Sequence, residues 1–179
     1  MKIRKFIPSM LLACLVGLAA TSCLSDDEKL WDDYSDWRNT NSDWLREQEA
    51  SGKYEKVVPL WNDSLYVLMR WFNDTTLTSG NLTPLYTSEV AVKYKGMLYD
   101  GTPFDSSYTQ VDSTVTMVLK ELISGWPIAM ERMHVEDNVE VLIPYQAGYG
   151  SSSTGIIPPF SALVFHIELR DITAYELRP

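Results

Sequence analysis

The chain has 179 residues, a formal charge of -9 and 45% apolar residues. That is enough for one core of ordinary size plus a leader or an arm. The acidic balance excludes a nucleic-acid surface, which needs concentrated Lys and Arg, and suits a self-repelling exterior.

The N-terminus reads as a leader. Lys2, Arg4 and Lys5 precede the apolar run MLLACLVGLAA at 10–20, which is too short to span a bilayer comfortably. Ala20-Thr21-Ser22-Cys23 resembles a bacterial lipobox, with small residues before a cysteine. Residues 1–22 are therefore expected to be a lipoprotein signal peptide, with lipidation at Cys23; the alternative is an ordinary leader with an incidental cysteine. Processing there would also remove Cys14, leaving no disulfide and no cysteine metal site. Leu24 after the acylated cysteine points to the outer membrane. Ser25-Asp26-Asp27-Glu28 resembles an acidic signal for export to the cell surface, or is a solvated acidic linker. The expected location is thus an outer-membrane lipoprotein, facing the periplasm or exposed on the surface.

Residues 23–54 form an acidic tether and amphipathic arm. Leu30, Tyr34, Trp37, Trp44 and Leu45 fall near one helical face. Asn39-Thr40-Asn41-Ser42-Asp43 is a poor helix interior, so the pattern predicts a break there, a restart at Ser42 or Asp43, and an end at Gly52. The arm either packs on its own domain or makes a homodimer or partner contact. Residues 55–85 predict an accessory strand over 65–72 and a loop over 78–84. From Glu89 the alternation of Val90, Val92, Tyr94, Gly96 and Leu98 predicts a half-buried strand. Asp100-Gly101 marks a tight turn. A strand follows at 115–119, and then a short helix opens at Ser124-Gly125-Trp126-Pro127, with Pro127 in its first turn, and runs to His134. Val139, Val141 and Ile143 mark another strand. Leu163, Phe165, Ile167 and Leu169 lie on one face of the last. The fold class is α+β, an antiparallel sheet packed on one short helix. His134 and His166 are not spaced with Asp or Glu as a metal site requires, so no metal or other cofactor is expected.

Five segments carry a resemblance: VAVKYKGMLYDGTPFDSS at 90–107, LISGW at 122–126, GYG at 148–150, GIIPP at 155–159 and ALVFHIEL at 162–169. Together, and in this order, they resemble the FK506-binding-protein (FKBP) type prolyl isomerases over about residues 86–172. The resemblance implies a bent antiparallel sheet wrapped around one helix, with an aromatic pocket between them. It assigns the catalytic pocket to Tyr94, Phe104, Asp105, Trp126, Tyr149 and Phe165. It assigns substrate binding to Leu122, Ile123, Ile156 and Ile157, with the Ile123 N–H as donor to a ligand carbonyl. The implied activity is peptidyl-prolyl cis-trans isomerisation of proline-containing polypeptides. A catalytically weak proline-segment binding or chaperone module is the alternative, and a structural subunit of a surface complex a third reading. Taken singly, Tyr94 and Phe165 could be plain core, Trp126 helix-to-sheet packing, and Asp105 a cap for Ser106 or Ser107. The family often carries an Arg shortly after the Asp and another aromatic near 113–115. Here Tyr108-Thr109-Gln110-Val111 has no cation, and Ser113-Thr114-Val115 has no ring.

Overall fold

A computed structural model describes residues 25–109 and 113–176. The leader, the lipobox and Cys23 lie outside the described residues, as do Gln110, Val111 and Asp112.

The arm opens with helix α1 (Asp26–Asp33). Ser25 caps it: the Glu28 N–H donates to Ser25 Oγ at 3.2 Å, and the Ser25 N–H donates to Glu28 Oε2 at 2.8 Å. Asp26, Asp27 and Glu28 thus sit where the helix dipole favours negative charge. Helix α2 (Ser35–Ala50) follows after a kink at Tyr34, and Gly52 turns the chain with φ of 68°.

The expected break at Asn39–Asp43 is absent, because side chains there are engaged within the helix or across it. Thr40 Oγ1 donates to the Asp36 carbonyl at 2.8 Å, and Asn41 Nδ2 donates to the Trp37 carbonyl at 2.8 Å. Both are bonds to the preceding turn, which absorb groups that would otherwise compete with the helix. Asn41 Oδ1 also accepts the backbone N–H of Ala162 at 2.8 Å. Asn41 is 1% exposed, so it pins the arm to the domain. Replacing it with alanine orphans a buried N–H and is expected to cost about 1–3 kcal/mol in urea denaturation. Unchanged stability would show that the arm is held by its apolar contacts alone.

Among the described residues, seven strands form one antiparallel sheet: β1 (Glu55–Val57), β2 (Val67–Trp71), β3 (Glu89–Leu98), β4 (Pro103–Ser106), β5 (Val115–Val118), β6 (Asn138–Ile143) and β7 (Leu163–Ala174). Their order is β1-β2-β6-β7-β3-β4, with β5 also paired to β3. Residues 55–85 therefore supply strands to the same sheet. Register shifts on β3, at Glu89/Val90 and Ala91/Val92 against β7 and at Gly96/Met97 against β4, bend it. Gly101, with φ of 86°, makes the turn between β3 and β4.

The concave face covers helix α3 (Gly125–Met130), all of whose residues are buried. Val139, Val141, Ile143, Leu163, Phe165, Ile167 and Leu169 line that core, as their alternation predicts. A second cluster lies on the convex face, where Leu45 of α2 meets Leu68, Leu142, Ala162 and Val164. The apolar face of α2 is thus covered by its own sheet.

Helix α3 stops at Met130 rather than His134. The chain tightens into three-residue bonds, Arg132 N–H to the Ala129 carbonyl and Met133 N–H to the Met130 carbonyl. Asp137 then captures the His134 N–H at 2.8 Å and the Thr78 hydroxyl at 2.6 Å.

Candidate functional site: an aromatic cleft between sheet and helix

The mouth of the bent sheet holds a cleft of about 190 Å³. Tyr94 reaches it from β3, Phe104 and Asp105 from β4, and Phe165 from β7. Leu122 and Ile123 come from the segment leading into α3, Trp126 from its first turn, and Tyr149 from the long loop before β7.

Trp126 is 3% exposed and lies deep because Gly125 lets the helix start press on β6. A Cβ on Gly125 would lie 2.5 Å from Ile143 Cγ2. The Trp126 N–H donates to the Ile123 carbonyl at 2.9 Å, which folds the Leu122-Ile123 wall over the helix end. Four rings then lock edge to face. Trp126 and Phe165 are 5.3 Å apart, Tyr94 and Trp126 5.4 Å, and Phe104 and Phe165 5.5 Å. Edge-to-face pairing of this kind adds about 0.5–1.5 kcal/mol per pair beyond burial and fixes ring orientation.

Asp105 sits at the exposed rim with both oxygens engaged. Oδ2 accepts the Tyr94 hydroxyl at 2.6 Å, and Oδ1 accepts the Ser106 N–H at 2.8 Å. Turn cap and pocket wall are therefore one residue. The Tyr94 hydroxyl supplies a donor to this carboxylate, in a segment where the sequence offers no cation. Burial, then the bond to Asp105, pushes the Tyr94 phenol well above its ordinary range. Ser107 Oγ accepts the Tyr94 N–H at 2.9 Å, tying β4's end to β3. Tyr149 is also shifted upward, by burial first and then by the Asp105 charge. Its hydroxyl therefore stays a proton donor, and no partner for it appears among the described residues.

Eight of the ten pocket residues expected from the sequence line this cleft. Ile156 and Ile157 do not: Ile156 is 60% exposed, and Ile157 is 4% exposed in a bridge to Thr154. Met117 and Glu121 line it without having been anticipated. The alternation of β5 from Val115 was the available signal for Met117, whose thioether packs well beside rings. In the sequence Gly96 reads only as a strand position. A Cβ there would lie 2.6 Å from Phe104 Cε2 and 2.9 Å from Phe165 Cε1. Gly96→Ala is expected to push those rings into the cleft. The cost is about 1–3 kcal/mol in urea denaturation, with weaker binding of any cleft ligand; unaltered affinity would mean that the rings do not set the cleft's shape.

A sheet bent over one short helix, with a ring-lined cleft at their junction, defines an FKBP-type domain. The family model for FKBP-type peptidyl-prolyl cis-trans isomerases matches residues 80–170. The chain is 41% identical over 85 residues to the FKBP-type peptidyl-prolyl cis-trans isomerase FkpA of Buchnera aphidicola, covering 48% of this chain and 33% of that protein. It is 31% identical over 172 residues to the macrophage infectivity potentiator of Trypanosoma cruzi, covering 92% of this chain and 83% of that one. The crystal structure of FkpA from Escherichia coli superposes with a TM-score of 0.69 at 23% identity, over 83% of this chain and 65% of that chain. The chain belongs to the FKBP-type peptidyl-prolyl cis-trans isomerase family. It spans about a third of the Buchnera relative's length.

Proposed function

We propose that this chain is a peptidyl-prolyl cis-trans isomerase acting on proline-containing polypeptides of the cell envelope. The observation that carries the reading is the four-ring cleft, with Tyr94 bonded to Asp105 at its rim. Rotation about an X-Pro bond must break amide conjugation, against a barrier of about 18–20 kcal/mol. The twisted amide has a less polar carbonyl than the planar one. A mainly apolar cleft therefore binds the twisted form better than the planar, hydrated form. The proline ring packs among Trp126, Tyr94 and Phe165, and the Tyr149 hydroxyl and the Ile123 N–H hold carbonyls beside it. Asp105 fixes the Tyr94 ring and contributes a charge at the rim. No covalent bond forms or breaks, so neither nucleophile nor general base has a part.

The test is a prolyl-peptide isomerisation assay, in which catalysed exchange between cis and trans peptide is the expected result. Peptide binding without turnover would replace this reading with that of a proline-segment binding module. Two features favour that second reading: the lack of a cation in the segment 108–111 after Asp105 and the lack of a ring from 113–115.

The lipid anchor on Cys23 and an outer-membrane location belong to the same proposal, supported by the basic leader and the small residues before Cys23. Labelled palmitate incorporated by the protein and lost in Cys23→Ala is the expected outcome; equal labelling would refute it. No helix among the described residues is long and apolar enough to cross a membrane.

A further inference from the structure

Beside the cleft lies a second, larger hollow of about 320 Å³, lined by Trp61, Tyr86, Leu122, Ser124, Pro127 and Glu131. Leu122 belongs to both hollows. The first turn of α3 is the partition: Trp126 faces the cleft, and Pro127 with Glu131, one turn on, faces the second hollow. Its aromatic walls are left open to solvent, Trp61 at 58% and Tyr86 at 49% exposure. Both are held by tied turns. The Leu65 N–H bonds the Asn62 carbonyl and the Ser64 N–H bonds Asn62 Oδ1, just past Trp61. The Ser88 N–H bonds the Leu85 carbonyl and the Leu85 N–H bonds Ser88 Oγ, around Tyr86. Two rings kept exposed on fixed turns form an apolar surface that folding alone does not explain.

We propose that this hollow is a subsite for the same extended polypeptide whose proline fills the cleft, and that it takes a large apolar or aromatic side chain flanking that proline. The proposal rests on the isomerase or proline-binding reading of the cleft. Continuity across Leu122 puts the flanking side chain within about two or three residues of the proline, at about 3.3 Å per extended residue. Charge selects further: Glu131 lines the subsite and Glu121 lines the cleft, so a Lys or Arg beside the aromatic is favoured over an Asp or Glu. The subsite's two exposed rings come from the segment at 58–66 and the turn before β3, set against the start of α3, and so select among prolines by what accompanies them.

The experiment compares a proline tetrapeptide without flanking aromatics with octapeptides carrying Phe two or three residues to either side of the proline. The full-length protein is expected to favour one Phe-bearing octapeptide by about tenfold in kcat/KM, mainly through KM. In the Trp61→Ala, Tyr86→Ala double variant that preference is expected to vanish, while the tetrapeptide, which carries no large side chain to fill the hollow, reports that the domain is folded. Trp61→Phe is expected to restore part of it. Equal preference in the double variant, or none in the parent protein, overturns the subsite. Should the tetrapeptide not be turned over at all, isomerisation fails on its own. Titration calorimetry with the same octapeptides then decides: weaker binding to the double variant sustains the subsite, and equal binding overturns it.

Discussion

Phe165→Ala is expected to lower stability by about 3–5 kcal/mol and to reduce prolyl-peptide turnover by about a hundredfold. Phe165 is 3% exposed, on a strand paired to both β3 and β6. Its ring meets Trp126, Phe104 and Tyr94 at 5.3, 5.5 and 6.3 Å. Alanine therefore empties the point where three rings converge, and those rings lose the edge that orients them. For a domain of this size the stability loss corresponds to a fall of about 10 °C in Tm. Turnover must be measured well below the variant's melting temperature, so that unfolding does not mimic a catalytic defect. Phe165→Leu separates the two effects. It keeps most of the apolar volume but lacks the flat edge, and is expected to melt close to the parent protein while turning over substrate poorly. Parent-like turnover in a folded Phe165→Ala protein would remove the cleft from the mechanism.

The cleft was legible through the family resemblance, and the elements that carry it through local rules. Tyr94 and Phe165 alternate inward on long strands, Asp100-Gly101 announces the turn before Phe104, and Pro127 announces the helix that carries Trp126. What escaped depends on partners far away in the chain. Asn41 looks like a helix breaker until the Ala162 N–H, 121 residues away, takes its side-chain oxygen. Helix α3 ends short of His134 because the His134 N–H is claimed by Asp137 and not by the helix. Ile156 and Ile157 lie in a Gly- and Ser-rich loop, where no periodicity dictates which way a side chain turns. Gly96 reads as an ordinary inward strand position; only the two rings packed against it show why it has no side chain. Trp61 and Tyr86 lie in turns, where sequence pattern carries no information on which surfaces meet.

The convex face holds the second large effect, a loss of stability in acid centred on Glu140. Alternation places it outward between Val139 and Val141, and an outward glutamate is ordinarily solvated. Here it is 9% exposed and surrounded by donors. The Tyr54 hydroxyl and Arg70 Nη2 reach Oε1 at 2.7 and 2.8 Å, and His166 Nε2 lies 2.7 Å from Oε2. Burial alone would raise its pKa. The hydrogen bonds from His166 and Tyr54, with the charge of Arg70, outweigh burial and hold the carboxyl down at about 2 against an ordinary 4.5. The same pairing, after burial, pushes the Tyr54 phenol up to about 12. A carboxyl depressed in the folded state stabilises the fold above its unfolded pKa and loses that contribution as pH falls towards the folded one. The contribution, about 3 kcal/mol, is complete above about pH 5 and fades between 4.5 and 2. Asp137, also depressed despite its burial, adds to the same acid limb, so the parent protein alone does not isolate Glu140. The comparison is between the parent and Glu140→Gln, by urea denaturation from pH 7 to pH 3. The variant is expected to be less stable at pH 7 and to lose less on acidification, so that the two curves converge. Glu140→Ala, which leaves Arg70 and His166 without their acceptor, is expected to cost about 3–5 kcal/mol at pH 7. Parallel curves for parent and Glu140→Gln would mean that the acid limb belongs to Asp137 and the exposed carboxylates, and that the convex network is packing rather than charge.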